Sequence, residues 1–159
     1  MPKIHRDTIA IFHNVRSAYN VGSLFRTADG AGVSKLYLTG YTPAPVDRFG
    51  REVRMIAKTA LGAEENISWE TGDIDEVILS LKTNGYSIIA VEQSPHAVSY
   101  RTFKAPQKAA FLFGSEVEGL NEEILALCDR VIMIPMHGRK ESLNVSVAAG
   151  IILFHYSSR

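Results

Sequence analysis

Ile134-Pro135-Met136-His137-Gly138-Arg139-Lys140-Glu141-Ser142-Leu143-Asn144-Val145-Ser146-Val147-Ala148-Ala149 is the stretch that orders the rest of the chain. An apolar run, Arg130 to Ile134, leads into it, and a long apolar segment leaves it at Asn144, a residue type that caps helices. Strand, polar loop and helix in that order are the repeating unit of an α/β fold, and such folds bind ligands at the carboxyl ends of their strands. Two upstream segments have the same character. Asn14-Val15-Arg16, continuing through Asn20-Val21-Gly22-Ser23-Leu24-Phe25-Arg26-Thr27-Ala28, follows the apolar run Thr8 to His13. Phe113-Gly114-Ser115-Glu116-Val117-Glu118-Gly119-Leu120 closes the apolar run Ala109 to Phe113. Each mixes small residues, amide or hydroxyl side chains and one or two charges at a predicted strand-to-helix junction.

Further strands are predicted over Lys35 to Thr39, Ile67 to Trp69, Ser87 to Val91 and Arg130 to Ile134. Helices are predicted from Asn20 as cap to Ala31, from Arg51 to Leu61 with Gly62 ending it, from Asp73 as cap to Asn84, and from Asn121 as cap to Leu127. Tyr41 to Gly50, with Pro43, Pro45 and Gly50, reads as a loop. Alternating strands and helices imply an α/β domain with a mainly parallel sheet covered by helices on both faces. The expectation is one domain over residues 1–159, with no linker or repeat dividing it. The last helix, Val145 to Tyr156, is apolar almost all round, so one side packs on the sheet and the other needs a second cover. A homodimer interface through this helix is the expected cover.

Bulk properties narrow the class. Hydrophobic residues make up 46% and charged residues 21%, as in an ordinary soluble domain. No apolar run approaches the about 20 residues that span a bilayer, and the polar start, Met1 to Asp7, lacks a signal-peptide core. The single cysteine, Cys128, has no partner in the chain, and a cytoplasmic protein is the simple reading. Net charge is zero, but it is unevenly spread: residues 1–59 hold nine Lys and Arg against four Asp and Glu, whereas residues 60–130 hold five against twelve. Arg48, Arg51, Arg54 and Lys58 crowd one stretch. Alone they read as a solvated helix face. Beside the three segments they are read as a phosphate-contacting patch.

Several chemistries find no support. Gly30 and Gly32 lack the third glycine and the strand context of a dinucleotide fingerprint, and no phosphate-binding P-loop occurs. The five histidines lack metal-ligand spacing, so no metal is expected. Cys128, among Leu125 and Leu127, reads as a core residue rather than a nucleophile.

Taken together and in order, the three segments resemble motifs 1, 2 and 3 of the SpoU/TrmH-like family of SPOUT methyltransferases, over roughly Asn14 to Phe154. The third, Ile134-Pro135-Met136 with Ser142-Leu143-Asn144 and the apolar helix behind it, is the most specific. The resemblance implies methyl transfer from S-adenosylmethionine to a ribose 2′-hydroxyl of RNA, leaving S-adenosylhomocysteine. It also implies a homodimer and an α/β fold whose C-terminal part forms a deep trefoil knot, which periodicity alone would not suggest. Many family members carry an added N-terminal RNA-binding domain. Here the first motif starts at Asn14, so the chain resembles the minimal, single-domain members, and this favours tRNA over rRNA as substrate.

Carried over residue by residue, Arg26 is the central catalytic residue, with Asn20 beside it in motif 1. Glu116 is the acidic residue of motif 2, orienting Arg26 or Asn144 or meeting the cofactor's amino group, while Glu118 is given no role and reads as solvent-exposed. Gly114 allows close backbone approach to a ligand. Ser142 and Asn144 supply polar contacts to cofactor or substrate ribose. Ile134, Met136 and Leu143 line the adenine and ribose pocket, with Val91 as a further apolar wall. Asn14, Arg16, Arg48, Arg51, Arg54, Lys58 and Arg139 are assigned to RNA, although Arg139 and Lys140 read equally as solvated. Arg26 acts either as base or as an electrostatic clamp on the developing alkoxide, and a guanidinium pKa above about 12 favours the clamp. The alternative is a family member that binds RNA or cofactor without catalysis; against it, Asn20, Arg26, Glu116, Ser142 and Asn144 are all in place.

Overall fold

The structure, a computed structural model, describes residues 6–157. In chain order the elements are β1 (Asp7–His13), α1 (Ala18–Ala31), β2 (Lys35–Thr39), α2 (Arg54–Ala60), α3 (Ala63–Asn66), β3 (Ser68–Gly72), α4 (Ile74–Thr83), β4 (Ser87–Val91), β5 (Val98–Ser99), β6 (Lys108–Phe113), α5 (Glu122–Leu127), β7 (Arg130–Met133) and α6 (Val145–His155). The strands form one sheet of seven in the order β3-β2-β1-β6-β4-β7-β5. Every pairing is parallel, so all the strands end at the same edge of the sheet.

Alternate strand residues feed two separate cores. Ala10 and Phe12 of β1, with Phe111 and Phe113 of β6, face α1, α2 and α6 through Leu24, Phe25, Ile56 and Ile152. Ile9, Ile11, Ala110 and Leu112 face the other way, onto Val77, Ile78 and Leu81 of α4 and Ile124 of α5. Burial on both faces is why the central strands read as unbroken apolar runs rather than alternating ones.

Local details differ from the sequence reading. The cap of α1 is Ser17, whose Oγ accepts from Asn20 N at 3.2 Å; Asn20 lies inside the first turn, which frees its side chain for a long-range contact. The helix expected from Arg51 starts at Arg54, because Glu52 is drawn into an antiparallel bridge with Val46. β3 runs Ser68–Gly72 rather than Ile67 to Trp69, and β7 stops at Met133, one residue short of Ile134. The short α3 and β5 are additional elements that no sequence pattern announces.

The last helix packs Val145, Ala149, Ile152 and Leu153 inward and leaves Val147 and Phe154 half exposed, at 50% and 48%. Phe154 lies against Gly30 of α1. No helix among the described residues is long and apolar enough to cross a membrane.

Candidate active site

A cleft of about 480 Å³ opens where β4, β6 and β7 end, and Val91, Phe113 and Met133, the last residues of those strands, line it. The loop after β6, the loop between β7 and α6, and the starts of α5 and α6 complete the wall. Its position at the carboxyl edge of a parallel sheet is where the topology of α/β folds places ligands.

The loop after β6 is a tight turn. Gly119 N donates to Ser115 O at 2.8 Å, and Ser115 Oγ accepts from Val117 N at 3.2 Å and Glu118 N at 3.3 Å. A Cβ on Gly114 would sit 2.8 Å from the Gly119 carbonyl, so this glycine permits closure of the turn itself. Gly119 has φ +64°, and a side chain there would strike Glu92 Oε2 at 2.6 Å. Glu92, the residue after β4, fastens the turn: Oε2 accepts from Leu120 N and Oε1 from Gln93 N, each at 2.9 Å. Gln93 Nε2 donates to Ile134 O at 2.8 Å, tying the loop after β7 to the same strand end. At this strand end the sequence singles out Val91 alone. The signal for Glu92 and Gln93 was their place directly after an apolar strand, and nothing local marks their distant partners.

The first segment reaches this cleft through one bond. Asn20 Nδ2 donates to Glu116 Oε1 at 2.7 Å, joining residues 96 apart in sequence. A carboxylate acceptor makes this a charge-assisted hydrogen bond, so it also sets the direction of the Asn20 amide. Arg26 lies six residues further along α1, about 9 Å by helical rise. It is exposed and has no hydrogen-bond or ion-pair partner among the described residues, so the structure does not bring it against Asn20 or Glu116.

Of the third segment, Ile134, Ser142 and Leu143 line the cleft, whereas Met136 and Asn144 do not. Asn144 instead caps α6, its Oδ1 accepting from Ser146 N at 2.8 Å and Ser146 Oγ at 2.5 Å. Arg139 is exposed in the same loop.

The residues assigned to RNA lie mostly beyond β1 and β2. Asn14 adopts φ +57°, and its Oδ1 accepts from Tyr41 N at 3.1 Å, so the amide fixes a loop. The Arg16 guanidinium lies 5.5 Å from the Tyr41 ring centre. Arg51 pairs with Asp47 at 2.9 Å, and Arg54 and Lys58 project from α2.

Charge within the cleft is one-sided. Glu92, Glu116, Glu118, Glu122 and Glu141 line it, with no lysine or arginine among its lining residues. Such a pocket attracts a cationic ligand and repels phosphate. Apolar walls from Val91, Ile134 and Leu143 suit a flat heterocycle and ribose, and the volume suits a nucleoside-sized molecule. Cys128 is no nucleophile: burial pushes its thiol up to about 11, and Sγ donates to Ile124 O at 3.3 Å. Among the described residues no group of three His, Cys, Asp or Glu side chains could hold a metal.

The model of the SpoU rRNA Methylase family matches residues 7–154. The chain is 32% identical over 155 residues to a tRNA (guanosine(18)-2′-O)-methyltransferase of Aquifex aeolicus, covering 97% of this chain and 70% of that one. It is 33% identical over 149 residues to the enzyme of the same description from Escherichia coli, covering 93% and 62%. The chain thus spans about two thirds of the length of these relatives. The crystal structure of an AdoMet-bound rRNA methyltransferase from Sinorhizobium meliloti superposes with a TM-score of 0.85 at 29% identity, covering 96% of this chain and 57% of that one.

Proposed function

The chain belongs to the SpoU rRNA methylase family, and from that membership we propose that it is a ribose 2′-O-methyltransferase that modifies RNA, tRNA rather than rRNA, with S-adenosylmethionine as methyl donor. The observation that carries this reading is the Asn20–Glu116 hydrogen bond, which joins the start of α1 to an acidic, nucleoside-sized cleft. Relatives described as tRNA 2′-O-methyltransferases and an AdoMet-bound neighbour support it.

The cofactor, when bound, supplies an already activated methyl group on a positively charged sulfur. The residues present fit it. Val91, Ile134 and Leu143 offer apolar contact to its base and ribose, Ser142 offers a hydroxyl, and the surrounding carboxylates match its positive charge. What the chain must add is alignment of the ribose hydroxyl and management of the charge that develops on its oxygen. Glu116 holds the Asn20 amide toward the cleft mouth. Arg26, a cation without a partner of its own among the described residues, clamps the developing alkoxide and an adjacent phosphate when RNA binds. A guanidinium stays protonated at neutral pH, so it serves here as a donor and a charge, not a base.

The same reading includes a homodimer in which a second copy covers Val147 and Phe154 of α6, a cytoplasmic enzyme, a single catalytic domain and a knotted C-terminal part. Half-exposed apolar residues on α6 support the first, and the strand order, in which β6 and β7 straddle β4, suits the last.

Incubation with labelled cofactor and bulk tRNA or rRNA tests the proposal. Label is expected at a ribose 2′-oxygen of tRNA. Arg26→Lys is expected to lower the single-turnover rate by about 10²–10³ with cofactor affinity unchanged. Near-full rate in that variant would remove the clamp, and cofactor binding without methyl transfer to any RNA would replace catalysis with a binding role.

A further inference from the structure

Residues 40–53, between β2 and α2, hold an aromatic ring where solubility alone would not place one. Phe49 is 65% exposed. The Arg48 guanidinium carbon lies 4.7 Å from its ring centre and that of Arg51 lies 4.9 Å from it. The turn beneath the ring is fixed by Asp47, whose Oδ1 accepts from Phe49 N at 2.8 Å and Arg51 N at 3.0 Å while Oδ2 accepts from Arg51 Nε at 2.9 Å. Gly50 N closes it on Asp47 O at 3.0 Å, with φ +76°. At its other end the same loop presents Tyr41, 46% exposed, with Arg16 over its ring. Arg54 adds an exposed charge just beyond.

Two chemistries coincide here. Arginines attract phosphate, and an exposed ring with guanidinium groups over it builds a stack whose aromatic and guanidinium planes both accept another flat ring. A polyanion with accessible base faces needs both. A duplex offers the phosphates but keeps its bases stacked inside, and single-stranded RNA loops offer both. The competing view is that the arginine stems merely shield an exposed ring, in which case removing the ring leaves RNA affinity alone.

We propose that Phe49, with Arg48 and Arg51, forms a stacking platform for an unpaired base of the RNA substrate. The inference rests on the RNA-methyltransferase reading above and adds a site to it: single-stranded RNA is held on the loop after β2, away from the acidic cleft. Asp47 fixes the turn that carries the ring before RNA arrives, so little backbone order has to be created on binding.

Equilibrium binding by the full chain tests it, with bulk tRNA, a short unstructured oligoribonucleotide and a duplex of the same length as ligands. Phe49→Ala is expected to lower affinity for tRNA and the unstructured oligonucleotide by roughly 5- to 100-fold. The slope of affinity against salt should not change, because no charge is removed. Phe49→Trp should retain affinity, and its fluorescence, measured above that of Trp69, should be quenched by the unstructured oligonucleotide and not by the duplex. Unchanged affinity in Phe49→Ala, quenching by the duplex alone, or a change in oligomeric state that accounts for the loss would each overturn the platform, the last by making a second copy the occupant. An unmodified chain that methylates RNA while Phe49→Ala matches its KM overturns the platform alone. An unmodified chain that neither binds nor methylates RNA overturns the enzyme reading with it.

Discussion

His13 ends β1 with its ring buried and Nδ1 2.9 Å from Thr39 Oγ1. Burial holds its pKa below the usual 6.5, and the charges of Asp73 and Asp75, which pull the other way, only partly offset this. The unfolded chain therefore takes up the proton first as pH falls. Stability from this residue is complete above 6.5 and is lost as pH drops from there through the folded-state pKa. Urea midpoints should thus decline across that interval, and His13→Gln should flatten this part of the profile whatever it does to stability at neutral pH. A profile that His13→Gln leaves unaltered would assign the decline to other groups. The side chains that fix the loops act over distances just as long. Glu92 bonds Leu120 N at the cleft across 28 residues and Asn14 bonds Tyr41 N beyond β2 across 27, and neither has a local pattern that a sequence window would register. Glu116 and Ser142, which line the cleft, stand out in the sequence because they belong to a composite motif. Glu92 does not, since its function is to hold a turn that belongs to another strand.

At the scale of elements, the division of labour between Ser17 and Asn20 is open to test. Ser17 satisfies the free amide at Asn20 N, and Asn20 commits its side chain to Glu116. Ser17→Ala should therefore cost about 1 kcal/mol, a fall of about 3 °C in Tm for a chain of this size, with the methylation rate at lower temperature maintained. Asn20→Ala should do the reverse, with a small change in Tm because its bond is exposed, and a large loss of rate. If Asn20→Ala lowered Tm as much as Ser17→Ala, its role would be structural. Reading Asn20 as the cap was reasonable from residue type alone, since Ser and Asn rank equally there. Only the fold shows that Ser17 takes the cap and that a carboxylate from the loop after β6 accepts from Asn20 Nδ2. The long, buried strands were legible for a physical reason: each core face needs continuous apolar runs. The four residues of α3 and the two of β5 carry no periodicity to read. Arg51 to Val53 have adequate helix propensity, and tertiary pairing of Glu52 with Val46 overrides it.

For the whole molecule, zero net charge conceals a separation that follows from strand order. The acidic cleft lies at β4, β6 and β7, while the basic loop and α2 follow β2. β1 stands between β2 and β6. Two strand spacings separate β2 from β6, the near edge of the cleft, which puts the two zones roughly 10 Å apart, beyond the Debye length of about 8 Å at physiological salt. Each zone therefore attracts its own ligand with little interference from the other: a cation into the cleft and a polyanion onto the loop and α2. Arg54→Glu combined with Lys58→Glu, neither of which touches Phe49, should weaken RNA binding and make its dependence on salt shallower by roughly 0.7–0.9 for each phosphate no longer neutralised. Cofactor affinity, measured by titration in the same buffers, should be unaffected. If the double variant instead changed cofactor affinity and spared RNA binding, the RNA would have to approach over another face, and the strand order would no longer explain how one neutral chain accommodates ligands of opposite charge.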